Sequence, residues 1–367
     1  MSDDLAQFFE DLLAGAKHLG ASDIHLLAGV PPMLRVNGEI RAVNNRRPLT
    51  AAVLIELSRL VLKPEQLECL ERKRELSMSH LSPRVGRCRI TFYHRLGVIE
   101  MAIRIVATDL ADRETLGLPS FVDDVILQTS GLVLITGPTG SGKTTTLNYM
   151  IDAINKARDG KIITIEDPVE FSHTHRRCIV TQIEVGTDTT GFAPFLRSAL
   201  RLDPDVIVIG EMRDQETIAT ALTAAETGHL VLGTLHTPSA IGTAERIINV
   251  FPGDMQTQIA NQTASTLLGV LSQRLIPSVE KSRLVLATEV LIVNSAVRHM
   301  IRERTFFKLR YTLMSGAKQG MHTLECNLAN LYRTGLISRA MAYSHANNSA
   351  DLDALLRDAP QEEVEPK

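Results

Sequence analysis

The sequence predicts an α/β fold built on a covered parallel sheet, preceded by a smaller α+β domain. Three observations carry this. Beyond residue 120, short apolar runs at 131–136, 161–166, 205–210 and 229–235 alternate with helical patterns. Each run is apolar on both faces, as strands buried between helices are. Residues 131 to 151, GLVLITGPTGSGKTTTLNYMI, read as strand, glycine-rich loop and helix without interruption. The first hundred residues instead mix amphipathic helices with a hairpin signal, Asn37-Gly38, a dipeptide that prefers a type I′ turn.

In order, Leu5, Phe8, Phe9, Leu12, Leu13 and Ala16 form a helical stripe over 4–18. GASDIHLLAG follows as a helix stop and a strand, and the runs 33–36 and 39–43 flank Asn37-Gly38. Helices are expected near 51–62 and 64–74, the second opened by Pro64. Alternation predicts strands at 87–93 and 98–105. The organisation is therefore a first domain over 1–106, a linker over 107–119, a second domain over 120–350 and a loose tail over 351–367. Within the second domain a helix over 213–227 presents Ile218, Ala221, Leu222 and Ala225 on one face. A further strand is expected at 286–293, and 255–350 is otherwise mostly helical by pattern.

Composition excludes several classes. The 367 residues carry a net charge of −3, which does not suit a molecule built to grip nucleic acid or an anionic membrane. The apolar run 285–293 is too short to span a bilayer. The acidic, amphipathic start MSDDLAQFFE is unlike a secretory signal, so a cytosolic protein is expected. The four cysteines are scattered with no C-x-x-C pair, against a zinc ribbon or a disulfide framework.

The chemistry centres on the loop. Gly137, Pro138, Thr139, Gly140, Ser141, Gly142, Lys143, Thr144 and Thr145 fit G-x-x-x-x-G-K-[ST] and run into the helix. Tight glycine turns point backbone N–H groups into one bowl, and the helix N-terminus adds positive potential, so a nucleoside triphosphate such as ATP is expected there. Lys143 would reach the β- and γ-phosphates, and the Thr144 hydroxyl would hold Mg²⁺. Carboxylates at neighbouring strand ends would hold the metal or orient water. IEDPVE supplies Glu166, Asp167 and Glu170, of which Glu170 is preferred, and Glu211 follows the run DVIVIG. Asp203 and Asp205 read better as turn or capping residues. His236 follows the run 229–235 and would sense the nucleotide. His229 precedes it and would contact a neighbour or a catalytic carboxylate. Seven arginines fall between Arg72 and Arg104, among them Arg87, Arg89, Arg95 and Arg104. Such a cluster in a chain of net negative charge suits a surface that docks on a neighbour's bound nucleotide.

Together these motifs resemble the secretion ATPases, and within them the type IV pilus retraction ATPases. GPTGSGKTTT resembles the family's Walker A, IEDPVEF its Asp box, IGEMRD its Walker B and TAAETGHLVLGTLHT its His box. The likeness extends over GASDIHLLAGVPPMLRVNGEI and most of the C-terminal third. It implies a PAS-like first domain and a RecA-like P-loop ATPase domain, assembled as a homo-hexamer that hydrolyses ATP with Mg²⁺. It implies Glu170 as the catalytic glutamate, Glu211 as the Walker B carboxylate, and Arg89 and Arg104 as arginines supplied to a neighbour's nucleotide. An inner-membrane platform protein is the implied partner, with the ring on the cytoplasmic face, possible pairing with a paralogous retraction ATPase, and no nucleic acid. Late in the chain AVRHMIRE stands where the retraction branch carries A-I-R-N-L-I-R-E. Ala296, Met300 and Ile301 are expected on one helical face and Arg298, Arg302 and Glu303 on another. Ile183 replaces the family's usual arginine in TQIEVG. CIVTQ, ERIINVFP and SHANNSADLDALL resemble the accessory retraction motors, and GEMRD the main one. Assembly and type II secretion ATPases generally carry an additional N-terminal domain and a four-cysteine zinc module, neither of which is legible here.

Overall fold

The computed structural model describes residues 2–36, 39–44, 46–105, 110–280 and 283–357. The chain forms two compact units. One comprises Met1–Asp109 with the inserted segments Glu166–His173 and Glu184–Asp188, and the other holds the remainder.

The first unit is a six-stranded antiparallel sheet with helices packed on it. Its strands are β1 (Ala21–Leu26), β2 (Met33–Val36), β3 (Glu39–Ala42), β4 (Glu75–Ser82), β5 (Gly86–Arg95) and β6 (Val98–Ile105), in the order β3-β2-β1-β6-β5-β4. The helices Ser2–His18, Ala51–Val61 and Pro64–Lys73 contribute Leu13, Leu54, Leu57 and Leu70 to a core shared with Ile24, Ile90, Phe92 and Ile103. Thr50 caps the second helix by accepting from Val53 N–H, and Pro64 opens the third where a missing N–H costs nothing. Asn37-Gly38 lies outside the described residues, but Val36 and Glu39 on either side of it are paired. β4 was not foreseen. ELSMSHLS carries few apolar residues because it is an edge strand, paired among the described residues only with β5.

β5 alternates as its pattern requires. Cys88, Ile90 and Phe92 are buried, which turns Arg87 and Arg89 to the other face. Arg95 makes two bonds to the buried Glu100 carboxylate, at 2.9 and 2.7 Å.

The second unit is organised on a seven-stranded sheet: β7 (Gly131–Thr136), β8 (Gly160–Glu166), β9 (Cys178–Glu184), β10 (Val206–Ile209), β11 (Leu230–Leu235), β12 (Leu267–Pro277) and β13 (Leu284–Ile292), in the order β13-β12-β7-β11-β10-β8-β9. β12, β7, β11, β10 and β8 are parallel neighbours, and β13 returns antiparallel on β12. Every residue of β7, β10 and β11 is buried, the condition of strands covered on both faces. The register sets Thr136 level with Leu235 and Ser272, so β7 and β11 end together while β12 runs on to Pro277.

Three expectations are corrected here. The pattern over 255–350 predicts helix where β12 lies, yet β12 is the sheet neighbour of β7. The helix Gln256–Thr266 runs directly into it with no turn former between them, so the period change was hidden. The expected linker is partly core: Leu118 is buried with Phe121 behind a short helix, Arg113–Leu116, capped by Asp112. Residues 106–109 lie outside the described part. The expected loose tail begins as the helix Ser349–Arg357, whose Leu352 is fully buried against Leu324, Leu328 and Ala342. Residues 358–367 lie outside the described part. Leu352→Ala is therefore expected to destabilise this unit by about 2–5 kcal/mol, read as a lowered denaturant midpoint. An unchanged midpoint would show that this helix contributes nothing to the fold.

Candidate active site

The loop's shape follows from its glycines. Gly137 adopts φ 138° and Gly142 φ 89°, both in the region L side chains avoid. A Cβ on Gly137 would stand 2.3 Å from the Gln273 carbonyl oxygen and 2.6 Å from Ser141 Oγ. Gly137→Ala is thus expected to displace the loop and weaken nucleotide binding at least about tenfold, some 1.4 kcal/mol, in equilibrium titration. Affinity equal to wild type would mean that the loop tolerates the displacement.

Gly142 is the N-cap of the helix Lys143–Ala157, which places the free N–H groups of the first turn beside the loop. Lys143 Nζ donates to the carbonyls of Gly137 at 2.8 Å and Pro138 at 2.9 Å. Burial pushes the Lys143 ammonium down from its usual pKa, and the Glu211 charge works in the opposite direction. Pro138, Thr139, Gly140, Thr144 and Thr145 face solvent, whereas Ser141 is buried.

At the same edge of the sheet, Glu211 follows β10 and is mostly buried. His236 Nε2 lies 2.9 Å from Glu211 Oε1, which also accepts from Arg213 Nε. Lys143, Thr144, Glu211 and His236 therefore share one end of the parallel sheet, where ligands of such sheets bind. The exposed Thr144 hydroxyl and the Glu211 carboxylate are hard oxygen donors, the chemistry that suits Mg²⁺.

His229 is elsewhere in its own subunit. It precedes β11, whose six residues span roughly 20 Å, so it sits at the opposite sheet edge from His236. There its Nδ1 lies 2.9 Å from the Ala224 carbonyl. Asp205 accepts from Lys161 N–H at 2.7 Å and ties β8 to β10, a structural role as expected.

The Asp-box segment belongs to the first unit, together with the arginines of β5 and β6. Arg89 Nη1 lies 4.0 Å from Glu170 Oε1, and Glu170 is about a third exposed. Arg104, mostly exposed, donates to Asp23 at 2.9 Å.

The expected faces of AVRHMIRE are corrected. In the helix Ser295–Arg302 the buried residues are Val297 and Ile301, while Ala296 is exposed. Arg298 donates to the carbonyls of Ala264 at 2.8 Å and Ser265 at 2.7 Å, capping the end of the helix Gln256–Thr266. Arg302 is exposed on a groove with Glu226 and Asp254.

Sequence reading missed Gln273. It is fully buried on β12, its carbonyl faces Gly137, and its Nε2 donates to Thr146 Oγ1 at 2.8 Å in the first turn after the loop. With β12 unrecognised, nothing in the sequence placed it near the loop.

The family model of type II/IV secretion system proteins matches residues 5–325. The type IV pilus retraction ATPase PilT of Pseudomonas aeruginosa is 42% identical over 336 residues, 92% of this chain and 97% of that protein. The type IV pilus ATPase PilU of the same organism is 36% identical over 349 residues, 95% of this chain and 91% of that one. The crystal structure of the pilus retraction motor PilT with bound ADP superposes with a TM-score of 0.88 at 42% identity, covering 94% of this chain and 98% of the other.

Proposed function

The chain belongs to the type II/IV secretion system protein family, and on that premise we propose that it is an ATP-hydrolysing motor of type IV pilus retraction. The observation that carries the reading is the joint one. A complete phosphate loop with Lys143 and Thr144 shares a sheet edge with Glu211, and the relative PilT is similar over nearly the whole of both chains.

In the proposed mechanism the loop N–H groups and Lys143 hold the β- and γ-phosphates, and Lys143 exchanges its present carbonyl partners for phosphate oxygens. Thr144 and Glu211 would hold Mg²⁺, which when bound neutralises charge on the phosphates. Glu170 polarises the attacking water. His236, bonded to Glu211, couples the state of the phosphates to the segment after β11. Six copies form a ring, in which Arg89 and Arg104 of one subunit serve the nucleotide on its neighbour. The ring acts on an inner-membrane platform protein from the cytoplasmic face; among the described residues, no helix is long and apolar enough to cross a membrane.

PilU supports a second reading, an accessory motor that works beside a paralogous retraction ATPase, because the likeness to it is also nearly full length. Deleting the gene and imaging pili separates the two. Hyperpiliated cells that do not twitch are expected for the main motor. Normal piliation with weak retraction identifies an accessory motor, and bald cells would overturn retraction in favour of assembly.

The exposed flank of AVRHMIRE supports a role in passing force rather than in hydrolysis. Arg302→Ala is expected to change stability by no more than about 0.5 kcal/mol and to leave ATPase activity intact while abolishing retraction. A parallel loss of ATPase activity would assign the segment to the catalytic cycle.

A further inference from the structure

One buried carboxylate ties the Asp-box segment to an edge strand. β4 closes the first unit's sheet, and Ser79 N–H on it donates to Glu184 Oε1 at 3.3 Å. The second carboxylate oxygen accepts from Val169 N–H at 3.1 Å. The Thr187 hydroxyl donates to Oε1 at 3.1 Å, and Arg87 Nη1 lies 3.9 Å from Oε2. Glu184 itself is only 6% exposed. A carboxylate in such a place is tolerated because donors surround it, and removing it strands those donors. The backbone adds a second tie: Val185 N–H donates to the Glu166 carbonyl at 2.8 Å, while Asp188 accepts from Glu184 N–H at 2.9 Å.

Val169 immediately precedes Glu170. The ties at Glu166 and Val169 fix the main chain on the N-terminal side of Glu170, whose own side chain stands partly exposed. We infer that Glu184 is a positioning residue: it sets the backbone from which Glu170 reaches the attacking water, and it makes that setting depend on β4. The inference rests on the reading that Glu170 polarises water.

The test uses the full chain, with folding and assembly checked by circular dichroism and gel filtration. Wild-type hydrolysis, and its loss in Glu170→Gln, are the controls; if wild type does not hydrolyse ATP, the functional reading fails before Glu184 is altered. Glu184→Gln puts an NH₂ group against one of two backbone N–H donors. It is expected to lower kcat about 10- to 100-fold, as small misplacements of catalytic groups do, with ADP affinity within about twofold of wild type. In a Glu170→Gln background the same change is expected to cost nothing further. Ser79→Pro removes the edge-strand N–H and sets a ring methylene against Glu184 Oε1, without touching the pairing of β4 with β5. It should lower kcat in the same sense, about threefold or more. Wild-type kcat in both variants overturns the inference. So does an equal loss of ADP affinity, or the same factor lost in the Glu170→Gln background, since each describes a merely structural residue.

Discussion

Lys143→Ala is expected to lose nucleotide binding, whereas Glu170→Gln is expected to bind ATP and fail to hydrolyse it. The two residues act at different stages. Lys143 already bridges the Gly137 and Pro138 carbonyls, so its removal takes away both the charge opposite the phosphates and a tie that holds the loop's entry. Loss of at least about 100-fold in affinity is anticipated, close to 2.7 kcal/mol. Glu170 lies in the first unit, and its amide would keep the shape but not the basicity needed to polarise water. Hydrolysis should fall by about 10²–10⁴-fold. Titration with a fluorescent ADP analogue and phosphate release measure the two effects separately. Equal hydrolysis by Glu170→Gln and wild type would move the role to Glu166, which is buried at the end of β8, or elsewhere.

Subunits carrying Arg104→Ala and subunits carrying Lys143→Ala, each inactive alone, are expected to regain ATPase activity when mixed. Arginines that stabilise the γ-phosphate charge in trans contribute roughly 10³–10⁵ in rate, about 4–7 kcal/mol, so even a minority of repaired interfaces is visible. Arg104 is the suitable probe because its bond to Asp23 is mostly exposed and can be exchanged at little cost. Arg89 is less clean, since it also lies near Glu170. Arg95 is a poor probe, because its loss would leave Glu100 buried without its partner. Proven mixing without recovery would count against action between subunits.

How much of this was legible follows the kind of signal each part leaves. The strand-loop-helix at 131–151 was legible in full, because glycine freedom, lysine charge and helical period all act within twenty residues. The same holds for β10, β11 and the helix Gln215–Glu226, whose apolar runs are short and bounded. The sequence by itself therefore determined the nucleotide chemistry and the parallel core around it. What only the tertiary structure decided are the parts set by pairing at a distance. β4 and β12 were missed, one because an edge strand needs little apolar surface and the other because no turn marks its start. With β12 came Gln273 behind the loop, and with β4 came the latch on Glu184. The tertiary structure also moved Glu170 into the first unit and made Arg298 a helix cap rather than a free charge. For Glu184 and Arg298 the deciding partners are backbone groups far along the chain. Backbone N–H and C=O groups are the same at every residue, so their pairing leaves no mark in the sequence until the fold brings them together.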